Sequence, residues 1–293
     1  MRVGVVVNPT AGKGRGAGAA AEIAQELAAN NHDLIDLSAT SYESALTNAK
    51  QAIATKSIDA LLVAGGDGMA HLGVNACAET DVPMGLIPRG TGNDSARALQ
   101  IPLGQAAVKH VIERLQTPRR VDAMRVTSSK GEFFSFGSVS AGFDALVNQR
   151  ANRWTFPKGA SRYQLAMVAE LANFKPISYR VQLDGEKREF KAMLCAVANA
   201  SSFGGGMLIA PEATVDDGLL DLFVVHEISR LELIRIFPKV YSGGHVGHPA
   251  VEFVRAKSIH LEAHQMPAFA DGEWVGHAPL SITVCAGALL AAA

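Results

Sequence analysis

The 293-residue chain predicts an α/β half built on a parallel sheet, followed by a half built on antiparallel strands. Three observations carry that expectation. Short apolar runs alternate with helical patterns as far as Arg120, and beyond it the apolar period falls to two residues. Three glycine-rich turns also follow three of the early strands.

The elements follow in order. Val3 to Val7 is a continuous β-branched run, as expected of a strand buried on both faces. Ile23 and Leu27 then stand four apart among alanines, a helical spacing. Leu34 to Leu37 reads as a second strand, and Ser41 to Lys56 as a second helix opened by Ser41, with Glu43 in its first turn. Ile58 to Ala64 and Met84 to Ile87 read as the third and fourth strands. Between Gln105 and Leu115, Val108, Val111, Ile112 and Leu115 share one helical face.

In the second half, Ile177, Tyr179, Val181 and Leu183 alternate with Ser178, Arg180 and Gln182. The same period returns at Ile259, Leu261 and Ala263, and at Leu280, Ile282 and Val284. Asp184-Gly185 is a hairpin signal. Helices are expected to interrupt only near Ser161 to Phe174 and Ser229 to Phe237, the latter opened by a capping box from Ser229 to Glu232. The small apolar residues Ala286 to Ala293 either pack back onto the first half or fray.

Composition narrows the function classes. Hydrophobic residues make up 48% and charged residues 19%, enough for a packed core. A formal net charge of -1 and the lack of a basic stripe argue against nucleic acid as a partner. The longest apolar runs, Val3 to Val7 and Leu219 to Val225, fall short of the roughly 18 residues of a membrane span. The chain enters its first strand without a charged leader and apolar signal core, so a cytoplasmic location is expected. Cys77, Cys195 and Cys285 sit singly in apolar segments, which argues against disulfides and zinc.

In an open parallel sheet, ligands gather at the carboxyl ends of the strands. The first loop there, Asn8-Pro9-Thr10-Ala11-Gly12-Lys13-Gly14-Arg15-Gly16, lets backbone N–H groups approach phosphate oxygens and adds two cations. It is no Walker A loop, because Gly14 follows Lys13. Gly12, Gly14 and Ala17, with Asp36 beyond, also fit a dinucleotide fingerprint, although Asn8 to Ala11 intervene after the strand. The second loop is Gly65-Gly66-Asp67-Gly68. Two glycines and a carboxylate at a helix start suit a nucleotide phosphate and Mg²⁺; without a ligand, Asp67 reads as a helix cap. The third is Pro88-Arg89-Gly90-Thr91-Gly92-Asn93-Asp94, in which Asn93 or Asp94 could cap the next helix.

These loops, in this order, resemble the diacylglycerol kinase catalytic family of lipid kinases, which includes the sphingosine and ceramide kinases. The matching elements are Asn8 to Gly14, Gly65 to Gly68, Pro88 to Asp94, Gly204 to Gly206, Ala210 to Leu222 and Asp271 to Glu273. Gly244 to Pro249 looks like the actinobacterial branch. The resemblance implies a phosphofructokinase- and NAD kinase-like nucleotide-binding domain at residues 1–120 and an antiparallel β-sandwich lipid domain at 121–285, with 286–293 able to return to the first. It implies ATP and Mg²⁺ as cofactors, with Asn8, Lys13, Gly14, Thr40, Gly65, Gly66, Gly68 and Thr91 around the nucleotide. Asp67, Asp94 and Asp122 would form the catalytic magnesium network. A second, structural metal would sit on Thr214, Asp217 and Leu219, and Asp271 or Glu273 would supply the general base.

Two departures stand in the second loop, where the family usually has Thr or Ser and then Asn: here Met69 and His71. Arg89 replaces a small or apolar residue. His245 and His248 read as structural, and Asp216, Asp217 and Asp221 lack the spacing of an EF-hand. Arg153, Trp154, Lys158, Arg162 and Tyr163 combine basic and aromatic residues, which read first as a solvated face and second as a dock for an anionic membrane.

The expected enzyme phosphorylates a lipid hydroxyl, diacylglycerol first, while visiting the inner membrane surface, and a homodimer is left open. Alternatives are another lipid kinase, an NAD kinase, a nicotinamide-dependent oxidoreductase, or a kinase-like binding protein without turnover.

Overall fold

The computed structural model describes residues 1–7, 15–154, 156, 165–166, 169–170 and 175–293. The first loop with Asn8, Lys13 and Gly14 lies outside them, as do Lys158, Arg162, Tyr163 and most of the helix expected at Ser161 to Phe174.

Four parallel strands form the first half: β1 (Arg2–Val7), β2 (Asp33–Asp36), β3 (Ala60–Gly65) and β4 (Met84–Pro88), in the order β2-β1-β3-β4. β3 and β4 are buried throughout, as their unbroken apolar runs require. Helices α1 (Arg15–Ala29) and α5 (Ala106–Arg114) pack together, as do α2 (Tyr42–Ala54) and α3 (Asp67–Cys77). Ile23, Leu27, Leu61, Leu72, Ile87 and Val111 meet in the core between sheet and helices. Ser41 caps α2 by accepting from Ser44 N, as its position predicts. A short α4 (Asp94–Ala98) follows the third glycine loop.

The second half is antiparallel. It comprises β5 (Arg119–Ser128), β6 (Gly131–Ser135), β7 (Ser138–Ser140), β8 (Ile177–Leu183), β9 (Glu186–Ala198), β10 (Leu220–His226), β11 (Val251–Ala256), β12 (Ser258–Ala263), β13 (Pro267–Ala270), β14 (Glu273–His277) and β15 (Leu280–Ala291). The β8–β9 hairpin turns on Asp184 and Gly185, both at positive φ, which brings Leu183 opposite Glu186. Strands β5, β8, β10, β12 and β15 enclose one apolar core containing Val126, Val181, Leu222, Leu261 and Ile282.

A third core covers the outer face of β9 and β10. Leu222 and Val224 point into the sandwich, whereas Phe223 and Val225 point into this outer core. That double burial explains the unbroken apolar run Leu222 to Val225. The outer layer is made by α6 (Phe143–Arg153), α7 (Arg230–Ile236) and the 3₁₀ segment Phe237–Ser242. Ser229 caps α7 by accepting from Glu232 N. Helix α6 corrects the expectation that helices interrupt only near 161–174 and 229–237. Its signal was present in Phe143, Val147 and Ala151, four apart and all buried.

The C-terminal residues do not fray. β15 pairs with β5 along the sandwich, bulges between Cys285 and Leu289, and sets Ala291 parallel to Met84 of β4. One strand thereby belongs to both sheets. Cys77 and Cys195 are buried, Cys285 is half-buried, and no disulfide joins them. Among the described residues no helix is long and apolar enough to cross a membrane.

Candidate active site

Backbone contact between two glycine loops forms the floor of the site. Gly66 precedes α3, and Gly90 lies so near it that a Cβ on Gly90 would stand 2.4 Å from Gly66 Cα. Only glycine at both positions allows that approach. Asn93, in the left-handed region, closes its own loop: its Oδ1 accepts from Gly90 N at 2.9 Å and its Nδ2 donates to Gly90 O at 3.0 Å. It therefore places no side chain on α4. The cap comes from Asp67, whose Oδ1 accepts from Ser95 N at 3.0 Å. Asp67 thus caps a helix, but a neighbouring one rather than its own.

Burial raises the Asp67 pKa above the usual carboxylate range, and the charges of Asp94 and Asp271 add to the rise against the Ser95 hydrogen bond. Oδ2 of Asp67 faces Gly92, where a Cβ would come within 2.8 Å. Asp67 borders a cleft of about 410 Å³. Thr91, Asp94, Ser202, Tyr241 and Asp271 line the same cleft.

The opposite wall is the β13–β14 turn, where Asp271 and Gly272 both take positive φ. Asp271 is saturated with donors. Its Oδ1 accepts from Gly137 N at 2.7 Å and Ser138 N at 3.2 Å. Its Oδ2 accepts from Ser135 Oγ at 2.9 Å, Phe136 N at 3.0 Å and His71 Nδ1 at 3.0 Å. A carboxylate only accepts, so the His71 proton sits on Nδ1. The side chains of His71 and Asp271 are only 7% and 3% exposed. Burial alone would raise the Asp271 pKa; the hydrogen bond and charge of His71, with the amides of Phe136 and Gly137, bring it below the usual value.

Glu273 behaves differently. It is exposed, makes no hydrogen bond or ion pair among the described residues, and reaches back to α3: a Cβ on Gly68 would meet its Oε1 at 2.8 Å. Burial, then the charges of Glu273 and Asp271, push the Tyr42 phenol well above its ordinary pKa, so it stays protonated beside them. Tyr42 and His71 are site residues without a role in the sequence reading. His71 was visible there only as a departure from the family pattern, and Tyr42 only as the start of a helix. Met69, the other departure, is buried in the core.

Asp94 ties the two halves together. It accepts from Gly205 N at 2.6 Å and Gly206 N at 2.8 Å, in a glycine run at positive φ, and pairs with Arg97 at 2.6 Å. Asp122 is not among the residues that line the cleft. Its two oxygens accept from Gly218 N and Gly287 N, each at 2.7 Å, pinning the bulge of β15 to the 213–219 loop. In that loop Asp217 accepts from Leu219 N at 3.0 Å and from Arg255 at 2.6 Å, while Asp216 and Asp221 pair with Arg119 and Arg255. Among the described residues, no three His, Cys, Asp or Glu side chains are grouped to hold a metal ion. Thr40 is exposed in the bend between β2 and α2. His245 is buried against Ile209 O, and His248 pairs with Glu232. Arg89, the third departure, pairs with Glu22 of α1.

Comparison with known proteins agrees with this arrangement. A family model described as the diacylglycerol kinase catalytic domain matches residues 2–126. A second, described as the YegS C-terminal NAD kinase beta sandwich-like domain, matches residues 137–292. A curated diacylglycerol kinase of Mycobacterium tuberculosis is 37% identical over 98% of this chain and 94% of its own length. One of Bacillus subtilis is 26% identical over 95% of this chain and 91% of its own. A crystal structure from Bacillus anthracis, assigned as a diacylglycerol kinase, superposes with a TM-score of 0.80 at 25% identity, covering 99% of this chain and 94% of that one.

The nicotinamide-dependent alternative falls with these matches, and Asp36, its ribose contact, instead accepts from Ser38 N in a local turn. The chain belongs to the diacylglycerol kinase family, on its actinobacterial side, and is a lipid kinase.

Proposed function

We propose that this kinase transfers the γ-phosphate of ATP to the free hydroxyl of diacylglycerol, giving phosphatidic acid. One observation carries the reading: an exposed Glu273 without a protein donor stands over Gly68, next to Asp67 in the first turn of α3. A general base needs an open lone pair near the reacting hydroxyl. Glu273 has one, whereas every lone pair in reach on Asp271 is committed to the fold. Glu273 accepts the hydroxyl proton as the new O–P bond forms and the bond to the ADP oxygen breaks. Asp271 holds the turn that aims it.

The glycines of Gly65 to Gly68 let phosphate oxygens approach the N–H groups at the start of α3. Asn8, Lys13, Gly14, Thr40 and Thr91 complete the nucleotide pocket in this reading. Asp67 is the residue that would hold Mg²⁺ first, in an acid-rich cleft that fits a hard cation, and Asp94 would join it by giving up its Arg97 or glycine donors. Bound there, the ion offsets phosphate charge during transfer. At the second expected metal site, Arg255 already neutralises Asp217, so a cation on Thr214, Asp217 and Leu219 would compete with it. Residues 1–120 take the nucleotide, residues 121–285 the lipid, and 286–293 splice the two.

A lipid acceptor needs apolar surface next to the cleft. Phe203, on the cleft wall, also lines an apolar seam between β9–β10 and α6–α7, with Phe143, Leu194, Ile209, Phe237 and Val240. The seam is nearly closed, with about 20 Å³ open, so an acyl chain enters by parting the outer layer from the sheet.

The test offers the protein γ-labelled ATP, Mg²⁺ and mixed micelles of diacylglycerol, a sphingoid base or ceramide. Label in phosphatidic acid is expected. Label in another lipid moves the substrate, and phosphorylation of NAD with no lipid labelled overturns the proposal.

A further inference from the structure

We infer that the outer face of α7 and the 3₁₀ segment after it dock on an anionic lipid bilayer, a step that rests on the lipid-kinase reading. The helix is apolar on both sides. Leu233, Ile236 and Val240 face inward and are buried with Phe223 and Val225. A surface helix ordinarily turns polar residues outward. Here Leu231, Ile234 and Tyr241 are 68%, 51% and 50% exposed. Positions 231, 234, 238 and 241 recur at helical spacing, and exposed Pro238 fills the remaining one. Val246 follows, also exposed.

Scattered apolar residues on a surface need no explanation, but a stripe does. Charge identifies its partner. Arg235 and Lys239, both exposed, flank the stripe, against a single acid within it, Glu232, which pairs with His248. An apolar ridge edged by arginine and lysine suits the boundary between acyl chains and anionic headgroups.

Position is the second argument. Tyr241 ends the stripe and lines the cleft beside Asp67 and Asp271. The inner face of the same helix lines the apolar seam. Docking through this ridge therefore turns the mouth of the cleft to the membrane, where the acceptor lipid resides.

The test is co-sedimentation with vesicles of phosphatidylcholine, with and without phosphatidylglycerol, for wild type and for Leu231→Asp combined with Ile234→Asp. Both side chains are exposed and neither lines the cleft or the seam, so thermal melting should not change. Wild type is expected to bind the anionic vesicles, and the double variant at least about tenfold more weakly. Turnover of vesicle-embedded diacylglycerol falls with binding, while turnover of a short-chain diacylglycerol dispersed as monomer is kept.

Undiminished vesicle binding by the double variant overturns the inference. So does a wild type that ignores anionic vesicles, or that sediments as a dimer which the variant dissociates, since the ridge would then cover a second copy. Failure of the lipid-kinase reading looks different: no lipid is phosphorylated, whatever the vesicles bind.

Discussion

Asp67 and Asp271 face one cleft from opposite walls, and their surroundings drive their acidity in opposite directions. Burial raises both. Asp67 has one backbone donor and two acidic neighbours, so its pKa stays high. Asp271 is more deeply buried, yet four N–H or O–H groups and His71 reverse the sign. Donor supply, not depth, separates a carboxylate waiting for a cation from one spent on structure.

The largest expected effects are on turnover. Asp67→Ala and Glu273→Ala should each lower kcat about 10²-fold or more in the diacylglycerol assay, with melting temperatures near wild type. Near-normal rates in both would refute the division of labour between the walls.

Asp271→Ala should act through the fold. It leaves buried donors without an acceptor, at a cost of about 3 kcal/mol read from urea denaturation, and activity falls with the lost turn. A variant as stable as wild type would break the comparison. His71 comes next. His71→Leu removes one donor to a buried carboxylate, at about 1–2 kcal/mol, whereas His71→Asn keeps a donor and should recover most of the stability and rate. Equal losses in both would show that His71 matters only as packing.

The pH dependence follows from the sign. The folded pKa of Asp271 lies below its ordinary 3.8, so its stabilisation is complete above that value. It is lost as pH falls through 3.8 toward the folded value. Asp271→Asn should flatten that acid limb in a melting series. Asp67 has the opposite sign: its ionised form is disfavoured in the fold, and the strain is relieved as pH falls through its raised pKa. The smallest expected effect is therefore a slight rise in melting temperature for Asp67→Asn near neutral pH, in a protein without activity. A fall would show that the Ser95 cap outweighs the burial.

Local patterns made much of the fold legible. The both-faces-buried strands β3 and β4, the Asp184-Gly185 hairpin and the Ser229 cap each depend on a few neighbouring residues, and each stands where its pattern placed it. Helix α6 was missed because its buried positions are Phe143, Val147 and alanine-sized Ala151, a weak stripe. Tyr42 was missed because its partners Glu273 and Asp271 come from the far end of the chain.

By itself, the sequence determined the glycine loops, the carboxylates near them and the change of period that divides the chain. Those follow from backbone freedom and side-chain periodicity, which are local. Only the tertiary structure decided that Asp67 caps a neighbouring helix, that Asp122 holds Gly218 and Gly287, and that Asp271 is saturated while Glu273 is open. The reason is physical: a carboxylate's role depends on which backbone N–H groups arrive around it, and those of Phe136, Gly137 and Ser138 come from a segment more than 130 residues away.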